Sequence, residues 1–279
     1  MSNTDIRNAV VAGRFYPKSQ IEIENLLSKI YEKEKSKINL QFADKEIFGA
    51  VVPHAGYMFS AYQAIHFFDI LKHKNQKYET FIIINPNHTG FGAKIALDSH
   101  KFWQTPFGNA ELDSEFMNEL GFEVSPVAHE NEHSGEVMLP FLQYFLDYKF
   151  KIVPITLSEQ CVKNSKIIAE RIKQVSEKLN RKIMVIASSD FTHFKSPKTG
   201  YKLDDLVLEQ IENQDVDKLE QVVRTNKISV CGFGPIMALM EYSKLKGNYK
   251  SEILARGHSG QVIPSNEVVD YISILFYEN

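Results

Sequence analysis

Short runs of β-branched residues alternate with longer amphipathic segments along this chain, and this alternation restricts the fold more than any other feature of the sequence. The segment 161–180, for example, places Ile168, Ile172 and Val175 on one helical face, and a β-branched run follows it. Such alternation is typical of a mainly parallel sheet covered by helices on both faces. The predicted strands are 48–52, 80–84, 94–97, 151–155, 182–187, 251–255 and 268–276. The predicted helices are 20–35, 60–73, 114–120, 136–148, 162–179, 204–213, 216–225 and 233–246.

The alternating pattern continues without a break, so we predict a single α/β domain over residues 1–279. No linker rich in Pro, Gly or Ser, no block of like charges and no internal repeat interrupts it. The last predicted strand, 268–276, lies at the end of the chain, and this position favours an antiparallel orientation. The central sheet is therefore expected to be mainly parallel or mixed.

Composition excludes several classes of protein. The 32 Lys and Arg residues nearly balance the 35 Asp and Glu residues, which argues against a nucleic-acid partner. The longest apolar runs are far shorter than the ~20 residues that a membrane-spanning helix needs, so no membrane partner is expected. The chain has 2 cysteines and begins without a recognisable secretion signal. These features predict a protein of the reducing cytoplasm.

Polar side chains with acid–base or metal-binding chemistry follow three of the predicted strands. His54 comes after the first strand, His88 after the second, and Asp190 and His193 after the fifth. In an open α/β sheet, ligands bind beyond the carboxyl ends of the strands. Each histidine taken alone is typical of an ordinary hydrogen-bonded loop residue. Three histidines in the same arrangement favour a shared functional site.

Residues 129–133 match the H-E-x-x-H pattern of zinc proteases letter for letter. That chemistry requires both histidines on one face of a continuous helix, whereas the pattern here lacks an apolar stripe. Ser134 instead resembles the N-cap of a helix that begins near Gly135. We therefore interpret the match as chance and a zinc hydrolase as the weaker alternative. Glu132 and His133 could still point into a pocket from the start of the helix.

Cys231 precedes a glycine and the predicted helix 233–246. The positive field at a helix N-terminus lowers the pKa of a thiol, and the resulting thiolate can act as a nucleophile or a metal ligand. A small buried hydrophobic residue is an equally good interpretation. Cys161, which has no glycine turn beside it, is expected to be structural.

Seven short motifs, in order and spread over almost the whole chain, resemble those of the Memo family of small α/β proteins. They are residues 12–17 (AGRFYP), 53–57 (PHAGY), 85–88 (NPNH), 103–108 (WQTPFG), 132–142 (EHS and LPFL), 188–193 (SSDFTH) and 231–235 (CGFGP). Each motif alone is a weak signal, and seven in sequence are a specific one. The resemblance implies a fold similar to the class III extradiol catechol dioxygenases, which are non-haem iron enzymes.

The same resemblance implies roles for individual residues. By position, the metal ligands are His54, His88 and Cys231. The residues of the surrounding site are Asp190, His193, Glu132, His133, Trp103 and Tyr57. Non-haem iron oxygenases use two histidines and a carboxylate, whereas this pattern places a thiolate at the third position. The cofactor is therefore expected to be Fe(II), with copper or zinc as alternatives.

The sequence thus favours a metal-dependent redox protein that acts on a small molecule in a dioxygenase-like pocket. His193 would act as an acid–base group with Asp190 as its orienting partner, and Tyr57 and Trp103 would line the cavity. One alternative is a non-catalytic module that binds a short peptide or small ligand in the same cleft. Another is nucleophilic catalysis by Cys231 with His193 as its base.

Overall fold

The computed structural model describes residues 5–279, and in this part of the chain all the strands belong to one mixed sheet. The strands are β1 (Ile6–Arg7), β2 (Ile47–Val52), β3 (Thr80–Pro86), β4 (Ile95–Leu97), β5 (Phe102–Thr105), β6 (Gly108–Leu112), β7 (Glu123–Val124), β8 (Lys151–Leu157), β9 (Ile183–Ser188), β10 (His193–Lys195), β11 (Tyr249–His258) and β12 (Val268–Glu278). The helices are α1 (Gln20–Glu34), α2 (Tyr57–Lys72), α3 (Ser114–Leu120), α4 (Val127–Glu130), α5 (Met138–Phe145), α6 (Val162–Lys178), α7 (Pro197–Glu212), α8 (Val216–Thr225) and α9 (Phe233–Lys246). The prediction of an α/β fold is confirmed.

The sheet has a parallel centre and antiparallel additions. Its main strand order is β1-β5-β6-β8-β3-β9-β2-β12-β10, with β11 paired to β12 and β4 paired to β8 and β7. The four central strands β8, β3, β9 and β2 run parallel to one another. The last strand, β12, runs antiparallel to both β2 and β11, as its position at the end of the chain favoured.

Helices cover the two faces of the central sheet. Every residue of β2 and β3 is buried, so neither face of these strands reaches solvent. Helix α2 packs on β11 and β12 and is flanked by α1 and α5. Helix α9 packs on β2 and β9 and is flanked by α6 and α8. Continuous apolar runs suit this arrangement because parallel strands are normally covered on both sides.

Several predicted boundaries were wrong for identifiable reasons. Helix α7 begins at Pro197, seven residues before the predicted start, because Ser196 caps it and accepts a hydrogen bond from the Thr199 backbone. Ser134 is not an N-cap: α5 begins only at Met138, after a series of turns. The short strands β1, β5, β6, β7 and β10 carry too few residues to give a periodic signal. Among residues 5–279, no helix is both long and apolar enough to span a membrane.

Candidate metal centre

Three adjacent parallel strands deliver predicted site residues to one edge of the sheet. Strands β2, β9 and β3 lie side by side, and each is followed by such a residue two positions after its last residue. His54 follows β2, Asp190 follows β9 and His88 follows β3. Because the carboxyl ends of parallel strands share one edge, these residues converge although they are far apart in sequence.

His54 and His88 meet a third imidazole, that of His133. One ring nitrogen from each residue lies within 4.8 Å of the other two, and we call these residues the histidine cluster. Their ring centroids are between 4.8 and 5.5 Å apart. His54 is buried and His88 is exposed, so the cluster opens to solvent on the His88 side. Sequence reasoning assigned His133 to the surroundings of the site rather than to this group.

The orientation of the His54 ring is fixed by Ser188, the last residue of β9. The Ser188 hydroxyl donates its single proton to the Ser134 carbonyl oxygen at 2.8 Å. It can therefore only accept from Nδ1 of His54, which lies 2.7 Å away. Nδ1 carries the imidazole proton, and Nε2 presents a free lone pair to the cluster. Burial, together with the charges of His88 and His133, holds the pKa of His54 well below its ordinary value.

Glu132 orients the imidazole of His88 and lies close to that of His133. Its carboxylate lies 3.0 Å from Nδ1 of His88 and 3.4 Å from Nδ1 of His133. It also accepts hydrogen bonds from Ser134, at 2.9 Å from the backbone N–H and 2.7 Å from the hydroxyl. Burial opposes ionisation of Glu132, but the hydrogen bonds from His88 and Ser134 outweigh it and hold the pKa well below its usual range. The ionised carboxylate accepts a hydrogen bond from Nδ1–H of His88, which leaves Nε2 of His88 available as a ligand.

Cys231 lies beside the histidine cluster, next to His54 and outside the set of three mutually close nitrogens. Its Sγ is 3.2 Å from Nε2 of His54, and the Asp190 backbone N–H donates to Sγ at 3.2 Å. The expected lowering of the thiol pKa is wrong: burial and the nearby Asp190 carboxylate raise it well above its ordinary value. The lack of a side chain at Gly232 lets the backbone beside Cys231 pack closely against the end of β9. A Cβ at this position would lie only 2.3 Å from the Ser188 carbonyl oxygen.

Asp190 lies on the segment that connects β9 to β10, and His193 is the first residue of β10. The Asp190 carboxylate accepts from the His54 backbone N–H at 2.8 Å and lies 3.9 Å from Nε2 of the same residue. Burial raises the pKa of Asp190 to about 6. The half-buried His193 ring has Nδ1 2.8 Å from the Ser229 carbonyl oxygen, so Nδ1 carries the proton and Nε2 is free. Within residues 5–279, no hydrogen bond or ion pair joins the Asp190 carboxylate to the His193 ring, and the predicted roles of both stay predictions.

Tyr57 and Trp103 are both enclosed by protein. The Tyr57 side chain is fully buried, and its hydroxyl donates to the Val137 carbonyl oxygen at 2.7 Å. Trp103 is 1% exposed, and its indole N–H donates to the Asp98 carboxylate at 2.6 Å. A direct contact of either with substrate stays a prediction.

The H-E-x-x-H match does not form a zinc-protease site. Only His129 and Glu130 of the pattern are helical, in the short helix α4. His129 turns away from the cluster, with Nε2 3.1 Å from the Ala96 carbonyl oxygen and Nδ1 3.1 Å from the Thr156 hydroxyl. His133 faces the cluster instead. The interpretation of this pattern as chance agrees with these positions.

Comparisons with known proteins give the family. The profile described as "Memo-like protein" matches residues 7–275, which is nearly the whole chain. The chain belongs to the Memo family. A MEMO1 family protein of Methanobrevibacter smithii is 39% identical over 284 residues and covers 97% of this chain and 99% of its own. Relatives in Methanosarcina barkeri and Nitrosopumilus maritimus, also MEMO1 family proteins, are 36% and 33% identical, each with 97% of this chain and 99% of the relative covered.

One solved structure resembles this Memo protein in fold. It is the crystal structure of the uncharacterized protein JW3007 from Escherichia coli K12, with a TM-score of 0.50 and 10% identity. The match covers 76% of this chain and 91% of the other. At that identity the likeness concerns the fold alone.

The side chains of this Memo protein fit a metal ion at the histidine cluster. Metal–imidazole bonds of about 2.1 Å place donor atoms about 3–3.5 Å apart. The cluster's nitrogens, within 4.8 Å of one another, need only small ring movements to reach that spacing. Imidazoles oriented by a hydrogen bond at Nδ1 are the usual form of metal-ligating histidine. The cluster could therefore hold a metal ion.

Proposed function

We propose that this Memo protein holds a redox-active metal ion, Fe(II) first among the candidates, and uses it in a redox reaction on a small molecule. The observation that supports the proposal is the convergence of His54, His88 and His133, with Nδ1 of His54 bonded to Ser188 and Nδ1 of His88 bonded to Glu132. Neutral imidazoles bind Fe, Cu and Zn, so copper and zinc remain alternatives. Bound Fe or Cu would supply one-electron chemistry and a Lewis acid at the open end of the cluster.

The chain's own residues would prepare that reaction. Ser188 and Glu132 hold the His54 and His88 imidazoles with free lone pairs, so little reorganisation of these two rings accompanies metal binding. Free Nε2 of His193 would accept or deliver a proton. The buried Asp190 carboxylate lies 3.9 Å from Nε2 of His54 and would determine which groups on the buried side of the cluster carry a proton. The exposed His88 marks the side from which a small molecule would enter.

Cys231 lies 3.2 Å from Nε2 of His54, and its assignment as a third or fourth ligand remains part of the proposal. A thiol donor would favour Fe, Cu or Zn over hard cations. Nucleophilic catalysis by Cys231 is the weaker alternative. Its burial raises the thiol pKa, and a protonated thiol is a poor nucleophile.

Anaerobic metal loading tests the proposal directly. The protein is loaded with Fe(II), Cu(I) or Zn(II) in turn, desalted without air and subjected to elemental analysis. We expect about one ion per chain in the wild type and a loss of binding in His54→Ala and His133→Ala. His73→Ala, which removes an exposed histidine at the end of α2, is the matched control and should bind like wild type. Equal binding by all variants would refute the assignment.

A second measurement separates a redox protein from a binding module. The Fe(II)-loaded protein is assayed for oxygen consumption with catechols, thiols and superoxide. Consumption that disappears in His54→Ala supports the redox function. Metal-independent binding of a short peptide at the same cleft, without oxygen consumption, would favour the module.

A further inference from the structure

A second cavity, separate from the histidine cluster, lies between helices α1 and α2 and strand β11. Its volume is about 560 Å³, within the range of small-molecule sites. No residue of the histidine cluster contributes to its wall. Its wall includes Lys33 and Glu34 of α1, Phe59, Tyr62 and Gln63 of α2, and Ala255 of β11.

The wall of this cavity is positively charged in a chain whose net charge is −3. Lys33, Lys37 and Arg256 are the cations of the wall and Glu34 is its carboxylate. Arg256 is paired with Asp205 at 2.6 Å, outside the wall. Glu34 is already paired with Lys37 at 2.8 Å and with His66 at 3.3 Å. Lys33 forms no ion pair within residues 5–279. The cavity therefore has one unpaired cation, the Lys33 ammonium, which favours an anionic ligand.

Apolar rings and incompletely bonded polar groups lie in the same wall. Phe59 and Tyr62 contribute aromatic surface, and the Lys33 ammonium is 5.6 Å from the centre of the Tyr62 ring. Gln63 is 7% exposed, and its amide oxygen finds no hydrogen-bond partner in the described part of the chain. The same holds for Nε of Arg256. Buried polar groups are normally bonded, so such atoms in one wall point to a ligand that completes them.

We propose that this cavity binds a small organic anion with a flat apolar body. The anionic group would lie near Lys33, and the flat body would pack on Tyr62 and Phe59. The amide of Gln63 would offer one polar contact that fixes the orientation of the ligand. This site is independent of any metal bound at the histidine cluster.

Fluorescence titration with 8-anilino-1-naphthalenesulfonate, an aromatic anion, tests the proposal on the full-length protein. We expect one probe per chain, displaced by benzoate but not by benzyl alcohol, which lacks the charge. Lys33→Glu should weaken binding by about tenfold or more through charge reversal. Lys29→Glu makes the same change one turn earlier on α1, outside the cavity, and should bind like wild type.

A steric variant keeps the test independent of charge. Ala255 contributes to the wall, so Ala255→Phe would place a ring inside the cavity and abolish probe binding. A wild-type midpoint of urea denaturation in the same variant shows that the fold is intact. Wild-type probe affinity in both Lys33→Glu and Ala255→Phe would overturn the proposal, as would displacement by benzyl alcohol as strong as that by benzoate.

Discussion

The hydroxyl of Ser188 lies 2.7 Å from Nδ1 of His54 and determines which nitrogen of that ring faces the histidine cluster. A hydrogen bond that fixes the tautomer of a ligating histidine typically contributes about 10–100-fold to metal affinity. The metal affinity of this chain should therefore depend on a residue that cannot reach the ion itself.

Replacing Ser188 by alanine should weaken metal binding by about 10–100-fold while the three imidazoles remain. Competition with a chelator of known affinity measures the change. Ser243→Ala is the matched control, because it also removes a buried hydroxyl, one that bonds to the Leu239 carbonyl oxygen inside α9. An unchanged affinity in Ser188→Ala would contradict the orientation argument.

Glu132→Gln should reduce metal affinity by a similar factor of about 10–100. The amide has the size of the carboxylate but loses its charge and one acceptor, so it cannot accept from both His88 and Ser134 as before. The same chelator competition measures the effect. Glu130→Gln changes an exposed neighbour and should behave like wild type. Wild-type affinity in Glu132→Gln would mean that the imidazoles are held by other contacts.

The buried ion pair between Arg7 and Glu136, with 2.6 Å between Nη1 and Oε2, should matter for stability. Arg7→Met leaves the Glu136 carboxylate buried without its cation and should lower the free energy of unfolding by about 3–5 kcal/mol. Urea denaturation measures the loss. The double variant Arg7→Met with Glu136→Gln should recover part of it, because no buried charge remains. If the double variant recovers none of the lost free energy of unfolding, packing rather than charge causes the loss.

Stability should fall in acid partly because of His129. Burial lowers its pKa from 6.5 to about 4, so between these values the unfolded chain binds a proton that the folded chain does not. The contribution of neutral His129 to the free energy of unfolding is complete above pH 6.5 and is lost as the pH falls through about 4. It amounts to at most about 3 kcal/mol. Urea denaturation from pH 7 to pH 4 should show a shallower decline for His129→Asn than for wild type. His73→Asn, at an exposed position, should keep the wild-type slope.

The positions of His54, His88 and Asp190 were predictable because each directly follows a strand that is recognisable as an apolar run. The sheet order brings these strand ends together, and polar residues that follow an apolar run can be recognised in the sequence. His133 could not be assigned in the same way. It lies in an irregular segment, and its direction depends on Glu132 and on the turns before α5.

Other parts of the site left no readable pattern. Ser188 is one of two successive serines, and only the hydrogen bond to the Ser134 carbonyl shows which of them orients His54. Arg7 lies in a two-residue strand, yet its guanidinium donates to the carbonyl oxygens of His129 and Glu132, more than 120 residues away. Contacts of this range arise from tertiary packing, which no local periodicity encodes.

The thiol of Cys231 and the imidazole of His54 are 177 residues apart in sequence and 3.2 Å apart in space. Pairings of such long range form late, after the entropy of closing large loops has been overcome. A nascent chain that has not yet added α9 to the sheet lacks the thiol beside His54. Ion uptake that uses this thiol should therefore follow completion of the domain, so that the protein is loaded after synthesis rather than during it.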